Sequence, residues 1–239
     1  MKNEDDLIRN LKHYYHLSIA VLKRFGGPSV YFHVQSIKEH ESHFLSDRHV
    51  EMIYATLASW GMHRMGDPKD TKAKMVEFVD FKRSIMSQLR RLQEFASLRM
   101  ESCTQDQYEG YLDRLKDSYC ALKVSISEAT VVAHSKTLAH ILPNLIPPID
   151  RQHTIRFFTQ DNKDFFTESG NYRGVNLSSG LEAQFTDFKK YSGQIKALFD
   201  RCDRQLFTID KASINTSYPK IMDNLTMAFV KDVPKPKKE

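Results

Sequence analysis

Two residues, Lys136 and Asp150, have the types and the surroundings that could carry chemistry. Between them, Pro143, Pro147 and Pro148 bracket an apolar segment. Proline lacks an amide hydrogen and restricts the residue before it, so Pro143 should end one helix and the later pair should keep the chain extended. Asp150 then stands where a second helix would begin, and a carboxylate there accepts backbone N–H bonds and is favoured by the helix dipole. The segment therefore predicts one rigidly held, ionised carboxylate with a lysine upstream.

The elements that must position this pair are predicted to be helices, because apolar residues recur at spacings of three and four along most of the chain. Ser135 is the predicted N-cap of the helix that Pro143 ends. Other helices are predicted over residues 5–25, 29–43, 46–60, 71–98, 106–122, 179–199 and 217–229. Residues 124–132 fit either a strand, because they are rich in β-branched side chains, or a helix that begins near Ser127.

The predicted fold class is all-α, a compact bundle of about 9–11 helices. No internal repeat and no long Pro- or Ser-rich linker divides the chain, so we expect one α-helical domain over residues 1–230. The basic end, residues 231–239, is typical of a disordered tail.

Composition places the chain among globular proteins that bury a sizeable core. Of its 239 residues, 41% are hydrophobic and 27% are charged, as in ordinary soluble domains. No apolar run is long enough for a membrane span and the acidic start is no signal peptide, so we expect a cytoplasmic protein without a membrane role. Three widely spaced cysteines argue against a disulfide framework or a cysteine zinc site. The net charge of +5 fits a polyanion such as nucleic acid without selecting one.

Several common site types are not supported. His40 and His43 are three positions apart, but no zinc signature surrounds them, and we expect solvated surface histidines rather than a metal site. The chain has no glycine-rich phosphate loop and no nucleophile between closely flanking glycines. We therefore expect neither a metal nor a cofactor.

One longer pattern surrounds the lysine and the carboxylate. Ser135-Lys136-Thr137-Leu138-Ala139, an apolar stretch, and Pro147-Pro148-Ile149-Asp150-Arg151-Gln152-His153-Thr154-Ile155-Arg156-Phe157 together resemble the catalytic segment of helix-hairpin-helix DNA glycosylases. The resemblance covers residues 134–158. Ala133-His134-Ser135 stands in place of the hairpin glycines of that family, and no iron–sulfur cysteine cluster follows.

The resemblance implies a divergent helix-hairpin-helix architecture and an enzyme that excises a damaged or modified base. Asp150 takes the place of the essential carboxylate, and Lys136 that of the Schiff-base lysine of bifunctional members. A fixed carboxylate stabilises an oxocarbenium-like sugar or activates the attacking water, and water as nucleophile makes the enzyme monofunctional. DNA contacts are expected from Ser135, Lys136, Thr137, Arg151 and His153.

A base in duplex DNA must leave the stack before its bond is cleaved, so a pocket with an aromatic wall is expected. Trp60, Tyr31 and His63 are the candidates for that pocket, and core aromatics beside a solvated loop histidine are the competing interpretation. The expected partner is duplex DNA with a flipped base, bound by a monomer. Housekeeping repair and defence against phages with modified DNA are both compatible with these residues.

Two further hypotheses involve no catalysis. Asp150 fits a helix N-cap without chemistry, and Lys136 fits a surface lysine or a phosphate contact. The chain would then be a helical nucleic-acid-binding or adaptor protein, or a helical scaffold with no nucleic-acid role.

Overall fold

The computed structural model describes residues 2–23, 27–62, 75–126, 130–159, 175 and 177–232. Within these ranges the chain is predominantly helical, and the prediction of an all-α fold is confirmed. The helices are α1 (Lys2–Arg9), α2 (Leu11–Leu22), α3 (Pro28–Ser42), α4 (Asp47–Ser59), α5 (Phe78–Met86), α6 (Leu89–Phe95), α7 (Gln105–Ala121), α8 (Thr130–Ile141), α9 (Arg156–Thr159), α10 (Leu181–Asp200) and α11 (Tyr218–Asp232). None of the described helices is both long and apolar enough to cross a membrane.

Two of the predicted helices are divided in the structure. The helix predicted over residues 5–25 is α1 followed by α2, and the interruption lies at Asn10, whose backbone departs from helical geometry with φ −112° and ψ 28°. The helix predicted over residues 71–98 is α5 followed by α6, and its first part lies outside the described residues.

Helix α8 begins earlier than predicted. It starts at Thr130, so the interpretation of Ser135 as its N-cap is wrong. The amide nitrogens of Thr130 and Val131 donate instead to Oε1 of Gln184, at 2.6 and 3.2 Å. Gln184 belongs to α10 and is buried, so a side chain of another helix accepts from these first amides of α8. The predicted end before Pro143 is confirmed, since α8 ends at Ile141.

Helices α8 and α11 run through the centre of the molecule. Every residue of α8 from 131 to 141 is buried, and so is every residue of α11 from 219 to 230. Helix α8 packs against α3, α4 and α10, while α11 packs against α2, α9 and α10. Because α11 continues to Asp232, residues 231 and 232 are helical rather than part of the predicted tail. Polar side chains at positions 131–141 and 219–230 therefore lie inside the protein.

Helix α7 begins with a reciprocal cap whose removal is a test of the fold. The Thr104 hydroxyl accepts from the Gln107 amide at 3.3 Å, and the Gln107 side chain accepts from the Thr104 amide at 3.0 Å. We expect Thr104→Ala to lower the free energy of unfolding by about 1 kcal/mol, since one amide loses its partner. In thermal denaturation, the exposed mid-helix Thr186→Ala is the matched control. An equal loss in both variants would contradict the role of the cap.

Candidate active site

The segment between Pro143 and Asp150 is fixed to α8 by the hydroxyl of Ser135. This hydroxyl accepts from the amide of Ile149 at 3.1 Å and lies within hydrogen-bonding distance of the carbonyl oxygens of Val132 and Ile149, at 3.1 and 3.4 Å. Because Ser135 is fully buried, it attaches the proline-bounded segment to the centre of the fold. Asp150, the residue that follows Ile149, is thereby held at a defined position beside α8.

Asp150 is the N-cap of the next helical turn, as predicted. Its Oδ1 accepts from the amide of Gln152 at 2.8 Å. The turn from Arg151 to Ile155 is unusually wide, because the Ile155 amide donates to the Asp150 carbonyl five residues earlier at 3.0 Å. Such π-type turns are frequent at functional sites. The cap and the wide turn together fix the direction of the carboxylate.

The Asp150 carboxylate is paired with two side chains. Lys136 Nζ donates to Oδ2 at 2.9 Å, and His153 Nδ1 lies 3.2 Å from Oδ1. Burial alone would raise the pKa of the Asp150 carboxyl, but the Lys136 charge and the His153 contact outweigh it and hold that pKa well below its usual range. Asp150 is therefore an ionised carboxylate at neutral pH.

A second lysine–aspartate pair lies next to the first. Lys220 Nζ donates to Asp223 Oδ2 at 2.6 Å, and both side chains are about nine-tenths buried on α11. The Thr154 hydroxyl donates to Asp223 Oδ1 at 3.4 Å and accepts from the Asp150 amide at 3.2 Å. The two pairs are thus joined through one threonine. Sequence analysis did not single out Lys220 or Asp223, because a charged pair at i and i+3 is ordinarily found on an exposed helix face.

Trp60 lies close to both lysines. Its ring centroid is 5.8 Å from Lys136 Nζ and 5.0 Å from Lys220 Nζ, distances at which an ammonium group is attracted to an aromatic face. The indole N–H donates to the Ser29 carbonyl at 3.1 Å and fixes the ring plane. Helix α4 ends just before Trp60, where Gly61 adopts a positive φ of 84° that few other residues tolerate.

These side chains line one pocket of about 270 Å³, here called the site pocket. Its polar lining comprises Ser29, Ser59, Lys136, Asp150, His153, Lys220 and Asp223, and its apolar lining comprises Leu22, Val30, Trp60, Ile214 and Met227. A larger pocket of about 830 Å³ adjoins it and shares Leu22, Val30 and Ile214. An aromatic wall, one ionised carboxylate and buried cations therefore meet in a cavity that is open to solvent.

The predicted base-pocket residues are only partly brought together. Trp60 lines the site pocket, whereas Tyr31 is 55% exposed and lines the adjoining pocket. His63 lies outside the described residues.

Some of the predicted DNA-contact residues are buried and others are exposed. The Thr137 and Ser135 side chains are fully buried, and the Thr137 hydroxyl donates to the Ala133 carbonyl at 2.9 Å. Neither can reach a phosphate in this structure, so this part of the prediction is wrong, because α8 is a central helix and not a surface one. Arg151 is exposed, and His153 is partly exposed.

Behind Trp60 the structure buries two histidines, one on α3 and one on α8. His33 Nδ1 lies 3.0 Å from His140 Nε2, and His140 Nδ1 lies 2.7 Å from the Lys136 carbonyl oxygen. A carbonyl only accepts, so His140 Nδ1 carries a proton and His140 Nε2 accepts from His33. His33 Nε2 is then the acceptor for the Thr216 hydroxyl at 3.1 Å. Both rings are neutral, and burial holds their pKa values low, that of His140 at about 4.

Metal ligation finds no support among the described residues. No group of three or more His, Cys, Asp or Glu side chains converges there closely enough to hold a metal ion. His33 and His140 each have hydrogen-bonding partners for both of their ring nitrogens.

Comparisons with protein-family models, with curated proteins and with solved structures find no match to this chain. The resemblance of residues 134–158 to DNA glycosylases therefore stays a prediction, and the functional argument depends on the geometry of the site pocket.

Proposed function

We propose that this protein is a DNA glycosylase that removes a damaged or modified base by hydrolysis of the N-glycosidic bond. The observation that carries the proposal is the ionised Asp150, held beside Trp60 in a pocket by Lys136 and by the Gln152 amide. The membership in a helix-hairpin-helix family is part of the proposal and is supported by the pattern in residues 134–158.

Asp150 has the properties that this reaction requires. Cleavage of the glycosidic bond leaves an oxocarbenium-like sugar, and a fixed negative charge near that cation lowers the barrier. The charge is already oriented by its cap and its ion pair, so little reorganisation is needed when the cation forms.

Water is the nucleophile in this proposal. A lysine forms a Schiff base only as a neutral amine with a free lone pair. Lys136 instead donates to Asp150 at 2.9 Å and has a side chain that is 10% exposed. An ammonium group engaged in this way supports a monofunctional enzyme rather than a bifunctional one.

Trp60 offers a flat surface to a base that has left the stack. Base–aromatic stacking contributes about 1–3 kcal/mol per base. The exposed Arg151 directly follows the carboxylate in the chain and is suited to a backbone phosphate on the outer side of the pocket.

The test is a base-release assay with wild type and Asp150→Asn. Duplexes carrying a panel of damaged and modified bases, and DNA from phages that modify their bases, are incubated with each protein, and heat or alkali then reveals abasic sites. We expect wild type to release one class of base and Asp150→Asn to be slower by at least about 100-fold. DNA affinity measured at fixed salt should be similar, because the exposed cations are unchanged.

The matched control is Asp203→Asn. Asp203 caps a turn in the same way, accepting from the Gln205 amide at 3.1 Å, but it does not line the site pocket. If base release by Asp203→Asn were as slow as by Asp150→Asn, the loss of activity would come from losing a helix cap in general and not from the carboxylate of Asp150. Tight DNA binding without release from any substrate would contradict the enzyme and favour a nucleic-acid-binding module.

A further inference from the structure

We infer that His153 accepts the proton from the water that attacks the sugar, while Asp150 orients the imidazole ring and stabilises the positive charge that forms on it. This inference rests on the proposed function, and it names a second residue that acts on the reacting atoms.

Asp150 is a poor proton acceptor in this site. Its Oδ2 already accepts from Lys136 at 2.9 Å, and its Oδ1 already accepts from the Gln152 amide at 2.8 Å. A carboxylate whose pKa is held far below its usual range is also a weak base. Asp150 is thus suited to electrostatic stabilisation, and another group must take the proton.

His153 stands where that group is needed. Its Nδ1 lies 3.2 Å from Asp150 Oδ1, and an ionised carboxylate carries only lone pairs, so the stable arrangement has the proton on Nδ1. In the neutral ring the lone pair is then on Nε2. The same arrangement, a carboxylate behind a histidine whose far nitrogen acts as the base, is found in hydrolases of unrelated folds.

The other ionisable side chains that line the site pocket are engaged with each other. Lys136 is bonded to Asp150, and Lys220 is bonded to Asp223, which also accepts from Thr154. The His153 side chain is 30% exposed and lines the pocket, so water can reach it.

Every bond and every proton in this reaction is accounted for without a further reactant. The bond between the sugar carbon and the base nitrogen breaks, and its electron pair leaves with the base. The water oxygen bonds to the sugar carbon, and the water proton passes to Nε2 of His153. The base then takes a proton from solvent and the imidazolium returns one to solvent, so one water is added overall.

This role predicts an acidic limb in the pH–rate profile. A protonated His153 cannot accept a proton, so the rate falls as the pH is lowered. The charged groups that face this region are Asp150 beside the ring, Lys136 on α8, and Lys220, Asp223 and Lys231 on α11.

The experiment compares single-turnover base release by wild type, His153→Gln and His153→Ala on the duplex found in the release assay. With the protein in saturating excess over the duplex, we expect both variants to be slower by at least about 100-fold at the wild-type optimum and to lack the acidic limb. Added imidazole should restore part of the rate in His153→Ala, since it supplies the missing base. His43→Gln is the matched control, because His43 also faces a carboxylate, at 3.7 Å from Glu39, but has a 71% exposed side chain.

Each outcome decides the inference. Full activity of His153→Gln, or reduced activity with an unchanged acidic limb and no rescue by imidazole, would overturn the role of His153 and leave the glycosylase standing. The absence of release by wild type from every duplex would overturn the proposed function, and the inference with it. Circular dichroism at each pH confirms that the rates belong to folded protein.

Discussion

We expect the free energy of unfolding of this protein to fall as the pH is lowered from neutral to about 5, because four histidines are buried in the neutral form. Each of the four, His33, His49, His134 and His140, is at most 3% exposed. Burial lowers the pKa of His49 to about 3 and those of His134 and His140 to about 4, and it holds the pKa of His33 well below its usual value. All four must take up a proton when the chain unfolds at mildly acidic pH.

The sign of the effect follows from where each state binds protons. The unfolded chain protonates its histidines near pH 6.5, whereas in the folded protein His49, His134 and His140 have pKa values of about 3 to 4 and that of His33 is also lowered. Stability is therefore complete above about pH 6.5 and falls as the pH decreases below it. Each histidine costs about 1.4 kcal/mol per pH unit in this window, and His49, His134 and His140 together cost about 6 kcal/mol at pH 5. That is comparable with the total stability of about 5–15 kcal/mol of most domains.

Urea unfolding at several pH values between about 5 and 8 measures this slope directly. We expect His134→Gln to reduce the change in the free energy of unfolding per pH unit by the contribution of one histidine. The imidazole that packs on Tyr119, with ring centroids 4.8 Å apart, is then absent. His43→Gln, which removes an exposed imidazole, is the control for the substitution itself. A wild-type free energy of unfolding that stays constant down to pH 5 would show that these histidines are not held neutral.

The second large effect concerns the buried pair Lys220–Asp223. Asp223→Asn leaves the Lys220 ammonium about nine-tenths buried without its anion, and Lys220→Met leaves the carboxylate without its cation. We expect each single substitution to lower the free energy of unfolding by about 3–5 kcal/mol. The double variant should recover a large part of this loss, since neither charge then remains buried alone.

A double-mutant cycle by urea denaturation at pH 7.5 measures the coupling. The matched control is Arg48–Glu51, which has the same i,i+3 spacing but side chains that are 57% and 47% exposed. Its coupling should be no more than about 1 kcal/mol. Single variants at Lys220–Asp223 that cost no more than the control pair would show that the pair is hydrated rather than buried.

Local chemistry predicted the elements that depend only on neighbouring residues. Asp150 caps its turn, Ser46 caps α4, and Pro143 follows the end of α8. Each of these depends on an amide or a ring within a few positions of the residue concerned. The ionised carboxylate beside Lys136 was predictable for the same reason, since cap and lysine lie on adjoining segments.

Contacts between distant helices could not be predicted in this way. Gln184 of α10 supplies the cap of α8, and no pattern within α8 indicates it. A lysine and an aspartate at i and i+3 ordinarily mark an exposed helix face, but α11 is surrounded by other helices, so Lys220 and Asp223 are buried. The burial of the histidines on α3, α4 and α8 could not be predicted for the same reason, since packing between helices decides it.

The position of Trp60 has a consequence for spectroscopy. The chain contains one tryptophan, and its ring contacts both lysines of the site pocket and the imidazole of His140. Tryptophan emission from this protein therefore originates entirely at the candidate site and depends on the charges that surround it. Stopped-flow fluorescence can time the arrival of a ligand without any attached label, and an acid titration followed in the same way reports when the neighbouring rings become charged.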